Sequence, residues 1–398
     1  MKRIGLIVGG IAVVLLLIGI WAFVLFTGTT SDTVSFTDFE FGDTTDPNVI
    51  IPESLSDSEN QPEVREEANQ RLHQLTTKQV AGFAEINTST NGRQVYYIET
   101  GTGHIFSIDL ETRNQKRVSA TTIPLASKGA VTPNGKHVLI QSNTGSRAQF
   151  VVGTLTDGSD RLSNVPLEQD IVSFAATVDN NFIIAVTEGN GLAVLVYEPI
   201  TDQLIPQFTI PFREASIRWH HTAVGPHIVY PKATSRLEGY VYSYLNGVVT
   251  RHNATGYGLS AVGSSAAVIY SAVDGERYTT YSLATDQLIS NNTPVTLIPE
   301  KCLFTRTSDT TAICGATLDE PPYLMPDPWY QGRVVLNDSL WEYNTNSQSA
   351  RLLVFPESAT GRQIDLINPQ LGPDDQHFYF QNKVDQTLWM YQYKNTFN

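Results

Sequence analysis

The dominant pattern along the chain is a recurrence of short apolar bursts. Val95–Ile98, Val138–Ile140, Phe182–Val186, Ile228–Tyr230, Ala267–Tyr270, Ala312–Cys314 and Phe378–Phe380 are runs of aliphatic, β-branched and aromatic residues. Their starts lie roughly 40–45 residues apart, with one larger gap before the last. A turn signal often precedes the burst: Asn91-Gly92, Asn134-Gly135, Asp179-Asn180, Ser308-Asp309 or Asp374-Asp375. A second turn follows, then an alternating segment such as His104–Leu110, Leu192–Glu198, Tyr240–Leu245, Tyr278–Leu283, Ser339–Asn344 or Thr387–Tyr393. A shorter fourth segment comes next, as at Gln115–Val118 and Arg351–Val354. Continuous apolar runs predict strands buried on both faces, and alternation predicts half-burial. The body has no long helical periodicity.

Four short antiparallel strands, repeated seven times, predict an all-β fold over 71–398: a seven-bladed β-propeller. Six or eight blades stay open as counts. Setting aside the 22-residue insertion Thr317–Asp338 leaves about 43 residues per repeat. The last repeat stops after its third strand, so Arg71–Thr76 is expected to supply the fourth. Pairing of Leu72–Thr76 with Leu388–Tyr393 would close the ring and remove its open edges.

The turns carry a resemblance. Thr132–Ile140 (TPNGKHVLI), Ser89–Tyr97 (STNGRQVYY) and Gly372–Phe380 (GPDDQHFYF) resemble the repeats of TolB-type (PD40, WD40-like) propellers. The resemblance covers most of 75–398 and is weakest in the fourth and fifth repeats. It implies a propeller used mainly for protein contacts, and it supplies no catalytic residue.

Two segments precede the body. Ile4–Phe26 is 23 residues without a charge, enough to span a hydrocarbon core of roughly 30 Å as a helix. This exceeds the apolar core of a cleaved signal peptide, so 1–26 is expected to be a transmembrane signal-anchor. Lys2 and Arg3 are its flanking cations, which predicts a cytoplasmic N-terminus and an extracytoplasmic body on a single-pass membrane protein. The whole arrangement resembles single-pass, membrane-anchored bacterial propeller proteins. Residues 27–70 carry eleven acids against Arg65 and few apolar residues, and are expected to form a disordered acidic stalk. The formal net charge of the chain is −14. It sits mostly on that stalk, and it argues against nucleic acid, whose phosphates require clustered cations.

Candidate chemistry is sparse. The insertion holds Tyr323, Met325, Trp329 and Tyr330 among four prolines. Rigid aromatics displayed on a loop suit partner binding; the alternative is a flap packed on its own blade or over the channel mouth. Cys302 and Cys314 flank a hairpin centred on Ser308 and face each other, as a disulfide or as two buried thiols. His220, His221 and His227 form the one histidine cluster, but adjacent strand residues point to opposite faces, so no metal or other cofactor is expected. No G-x-S-x-G elbow is present. Two functions follow: a scaffold binding protein or cell-wall polymer outside the cytoplasm, held to the lipid bilayer through Ile4–Phe26, or a hydrolase or lyase acting on envelope glycan within the channel. The residues identify no particular ligand.

Overall fold

The computed structural model describes residues 49–50, 70–88, 92–145, 147–317, 319–322 and 324–393. The chain divides into Met1–Asp46 and a compact unit Pro47–Asn398. The expected anchor Ile4–Phe26 lies outside the described residues, among which no helix is long and apolar enough to cross a membrane.

The described body is almost entirely strand. β1 (Val49–Ile50) and β2 (Leu72–Gln74) precede the repeating part. Strands β3–β6 are Val80–Thr88, Gly92–Glu99, Ile105–Asp109 and Gln115–Ser119. Strands β7–β10 are Ala126–Val131, His137–Ser142, Gln149–Leu155 and Leu162–Leu167. Strands β11–β14 are Ile171–Ala176, Phe182–Glu188, Gly191–Glu198 and Gln203–Ile210. Each of these three groups is an antiparallel four-stranded sheet. A seven-stranded sheet follows, β15–β21: Ala215–Arg218, His227–Pro231, Glu238–Leu245, Val248–Gly263, Ala267–Asp274, Arg277–Ala284 and Asn291–Asn292. β22–β25 (Cys302–Phe304, Thr311–Thr317, Asp338–Asn344, Ser349–Val354) and β26–β28 (Leu366–Leu371, His377–Asn382, Leu388–Gln392) complete the array. Among the described residues, helices such as α1 (Asp327–Tyr330) and α2 (Pro356–Thr360) are single turns.

The burial pattern explains the repeat. Apolar bursts become second strands enclosed on both faces: Phe182–Val186 is buried throughout β12. The alternating segments become third strands, and β13 alternates buried and half-buried positions. The core is therefore a series of layers between neighbouring sheets. In one, Leu139, Phe150 and Val152 meet Phe174, Phe182 and Ile184; in the next, Ile183, Ala185 and Val194 meet Val229 and Tyr244.

First and last sheets also meet. Val80, Phe83, Val95 and Tyr97 share a cluster with Tyr379, Leu388 and Met390. Glu85, almost fully buried, accepts from Tyr379 Oη at 2.8 Å and Arg93 Nη1 at 3.2 Å, and pairs with His377 Nδ1 at 3.0 Å. β2 pairs antiparallel with β28, placing Leu72 opposite Tyr391 and Gln74 opposite Trp389.

Two features depart from the expectations. β18 is a single 16-residue strand that pairs with β17 through its first part and β19 through its second. The register shifts between Tyr257 and Ser260, where Gly256 and Gly258 take φ values of 154° and 63°. Two glycines thus bend one strand where the repeat pattern anticipates a break. The second departure lies in the acidic stretch. Val49 and Ile50 pair in parallel with Ala350 and Arg351 on the outer edge of β25, so two residues of the expected stalk are ordered strand. They are an apolar pair in an acidic segment, and they cover backbone groups that an edge strand leaves open.

Candidate functional site

The insertion between β23 and β24 forms a strap. Asp327 at its centre reaches the connection after β16: its Oδ2 accepts from Thr234 Oγ1 (3.1 Å), Ser235 N (3.0 Å) and Ser235 Oγ (2.5 Å). Burial alone would raise the Asp327 pKa, but these donors outweigh it and hold the carboxyl below its usual value. Met325 and Trp329 are buried in a cluster with Tyr278, Ile298 and Leu336. Trp329 Nε1 donates to Asp365 Oδ1 at 2.9 Å, and its ring carries Lys383 at 4.4 Å. Tyr330 donates to Glu300, which also accepts from Tyr230 at 3.2 Å. Burial and the Glu300 charge push the Tyr330 hydroxyl well above its usual pKa.

This corrects the expectation of displayed aromatics. Met325 and Trp329 face inward and cannot meet a partner without unfolding the strap. Tyr330 is 38% exposed, with its hydroxyl engaged, and Tyr323 lies outside the described residues. The physical reason is size and anchoring: three polar anchors draw the apolar side chains down onto β20 and the turn before β22. What the strap does leave exposed is its rim. Leu237, Tyr257 and Leu324 are 67%, 49% and 45% exposed. They surround one junction: Thr234 O accepts both Leu237 N and Gly258 N, and the Met325 carbonyl abuts Gly258 so closely that a Cβ there would lie 2.3 Å away.

Beneath the strap lies a fully buried ion cluster that sequence reading missed. Lys301 Nζ donates to Asp338 and, at 2.6 Å, to Asp365 Oδ1. Leu366 N donates to Asp338 Oδ2 at 2.6 Å and Leu336 N to Asp365 Oδ2 at 3.2 Å. Asp338 Oδ1 has no donor among the described residues. Desolvation pushes the Asp338 pKa up to about 6, against the pull of Lys301. Cys302 follows directly, paired with Cys314 across β22 and β23 and joined to it by a disulfide with Cα atoms 4.0 Å apart.

The first strand of each sheet sits at one edge, and neighbouring first strands touch; Gly82 and Gly129 are so close that a Cβ on Gly82 would lie 2.0 Å from a carbonyl. Arg218 at the end of β15 reaches β22, donating to Cys302 O at 3.1 Å. Lys128 on β7 rests its ammonium over the Phe174 ring at 5.0 Å. Water reaches Lys128, yet protein surrounds it; this desolvation lowers its pKa, and repulsion from Arg218 lowers it further.

At the turn end of the channel, His220 and His221 lie with ring centroids 3.9 Å apart. Burial lowers their pKa values to about 3 and about 4; mutual repulsion adds to the shift at His220, and Arg306 depresses both. His227 is buried, accepting from His220 N at Nδ1 and contacting Ala223 O through Nε2 at 3.0 Å. Asp375 caps the facing turn, accepting from Arg306 N (3.1 Å), Thr307 N (2.8 Å) and Thr307 Oγ1 (2.9 Å). Among the described residues, no group of three or more His, Cys, Asp or Glu is placed to hold a metal ion. The channel cations gave no sequence signal, because single cations on short strands do not reveal which face is the inner one.

Successive antiparallel sheets with inner edges converging on a channel define an all-β protein of the propeller class. Solved structures agree at the level of fold. The chain is similar to YCF48 from Cyanidioschyzon merolae, at 11% identity over 82% of this chain and 100% of that one, with a TM-score of 0.54. It is similar to YCF48 bound to D1 peptide, at 8% identity over 81% and 96% of the chains and a TM-score of 0.53. The β-propeller domain of the Trilobed protease from Pyrococcus furiosus matches at 11% identity over 79% and 96%, with a TM-score of 0.46. The sequence matches no protein-family model and no curated protein.

Proposed function

We propose that the protein is a membrane-anchored, extracytoplasmic binding scaffold, a seven-bladed propeller of TolB-like repeats whose strap face receives a protein or cell-envelope polymer. The observation that carries this reading is the strap rim. A loop bolted down at Asp327, Trp329 and Tyr330 cannot yield easily, and beside it Leu237, Tyr257 and Leu324 stay exposed. Exposed apolar side chains on a pre-organised surface favour association, because little ordering entropy is lost on binding. The seven-blade count follows from reading the seven-stranded sheet as two blades joined through β18. The anchor rests on Ile4–Phe26 with Lys2 and Arg3 before it. The disulfide fits an oxidising compartment outside the cytoplasm. YCF48 in its complex with D1 peptide supports a peptide partner by analogy of fold alone. Channel hydrolysis has less support: Asp375, the carboxylate facing His221, is occupied by three donors.

Proximity labelling from the full-length protein in its native host tests the proposal. A discrete set of extracytoplasmic proteins or wall fragments should be labelled, and the set should vanish in the Leu237→Glu/Leu324→Glu variant. An identical set from both proteins would reject the strap face. Extraction of the protein by alkaline carbonate, without detergent, would reject the anchor.

A further inference from the structure

We propose that Lys301 and Asp338 condense to an internal amide, with Asp365 as general base, so that the cluster beneath the strap is a self-modification site. Lys301 leads into β22, Asp338 opens β24 and Asp365 directly precedes β26. All three side chains are closed off from solvent. Lys301 Nζ contacts Asp338 Oδ2 and lies 2.6 Å from Asp365 Oδ1, so nucleophile, electrophile and base already meet. Asp365 is itself fixed. Trp329 Nε1 donates to its Oδ1 at 2.9 Å and its Oδ2 at 3.0 Å, and Leu336 N donates to Oδ2 at 3.2 Å. The Trp329 ring also covers the Lys301 ammonium at 5.1 Å. Lys383, the next amine, is held by the Trp329 carbonyl instead.

Asp338 is unevenly bonded, and that sets its reactivity. Its Oδ2 accepts from Leu366 N at 2.6 Å, whereas its buried Oδ1 has no donor among the described residues. A carboxylate with one oxygen bare in a dry site is costly, and burial favours the neutral acid, with Asp338 held at about 6. The neutral acid is the form an amine attacks. The step balances as follows. Asp365 takes one proton from the ammonium, and the freed pair on Nζ attacks Cγ of Asp338. Leu366 N steadies the charge that develops on Oδ2. The nitrogen passes a second proton to Oδ1, which already carries one and leaves as water. One C–N bond forms, one C–O bond breaks, no oxidant or reductant takes part, and Asp365 ends protonated. The bond ties the exit of the strap to the entry of β22, beside the disulfide of Cys302 with Cys314. Replacing Lys301 uncovers the same two carboxyls whether it removes an ammonium or an amide.

Mass spectrometry of the full chain tests this. The protein is kept folded in neutral detergent near pH 6, where the Asp338 carboxyl is partly protonated, then denatured and reduced so that the disulfide adds nothing to the difference. Its mass should lie one water below that of the linear sequence. Trypsin should then yield one branched peptide joining 278–306 to 334–351, uncut at Lys301, whose fragments place the link between Lys301 and Asp338. Lys301→Met and Asp338→Ala should each keep the full linear mass. Asp365→Asn has the same shape but takes up no proton. It should slow the loss of water by about tenfold or more, while its melting transition reports that it is folded. Joining at an unchanged rate in that variant would overturn the role of Asp365. A wild-type chain at full linear mass, a water deficit that survives in Lys301→Met, or a link mapped to other residues would overturn the proposal as a whole, and the first of these depends on no variant.

Discussion

Replacing Lys301 by Met tests how the strap is held from below. Lys301, Asp338 and Asp365 have fully buried side chains, and the ammonium is shared between both carboxylates. Methionine fills a similar volume but leaves two carboxylates facing each other without a counter-charge. Breaking a buried ion cluster in this way costs about 3–5 kcal/mol. The sign of the pH dependence follows from the carboxyls. Burial holds the Asp338 carboxyl at about 6 in the folded protein, above its ordinary 3.8, and loss of the Lys301 charge raises it further. A raised folded-state pKa contributes stability that is present below the unfolded value and lost as pH rises through the folded one. The deficit of Lys301→Met should therefore be largest above pH 7 and shrink steadily as pH falls toward 4. Urea unfolding monitored by tryptophan fluorescence reports it, because Trp329 lies 5.1 Å from the ammonium. The triple variant Lys301→Met/Asp338→Asn/Asp365→Asn should recover most of the loss, since it removes the charges together. A deficit below about 1 kcal/mol, equal at pH 5 and pH 8, would refute the reasoning.

Four further outcomes are expected. Gly82→Ala should lose about 1–3 kcal/mol or more, read as a lower melting temperature, because the new Cβ meets the Gly129 backbone rather than a yielding side chain. Asp327→Ala should speed hydrogen exchange and protease cleavage across 319–333 while the sheets stay protected, since the strap loses its three donors at Thr234 and Ser235. Thiol titration of the denatured, unreduced protein should find no free thiol, and Cys302→Ser/Cys314→Ser should lose about 3 kcal/mol, the loop-entropy value for cysteines 12 residues apart. Gly258→Ala should loosen the strap as Asp327→Ala does, because φ is 63° there and the Met325 carbonyl leaves no room.

What the sequence revealed and what it concealed divide along a physical line. The apolar bursts and their turns placed the second and third strands well, because burial on one or both faces imprints a local period. β18 escaped, since Gly256 and Gly258 look like a turn but act as a bend inside a continuous strand. The strap was legible as unusual, but its residues did not reveal that Met325 and Trp329 are buried while Tyr330 stays partly exposed. Nothing local shows that Trp329 finds Asp365, 36 residues on. Lys301 and Lys128 were invisible for the same reason: a buried or channel-facing cation differs from a surface one only through partners distant in sequence, as with the 37 residues separating Lys301 from Asp338.

The pairing of β2 with β28 has a mechanical side. Tension applied through residues preceding Val49 meets two attachments in series. β1 lies against β25 through two residue pairs, Val49 with Ala350 and Ile50 with Arg351. β2 lies against β28 through three, reinforced by Leu75 N to Leu388 O at 2.8 Å and Gln392 N to Arg71 O at 2.9 Å. The shorter attachment, with fewer backbone hydrogen bonds, yields first. The closing strand is thereby shielded: the two-residue attachment of β1 meets a pull before the longer pairing of β2 does.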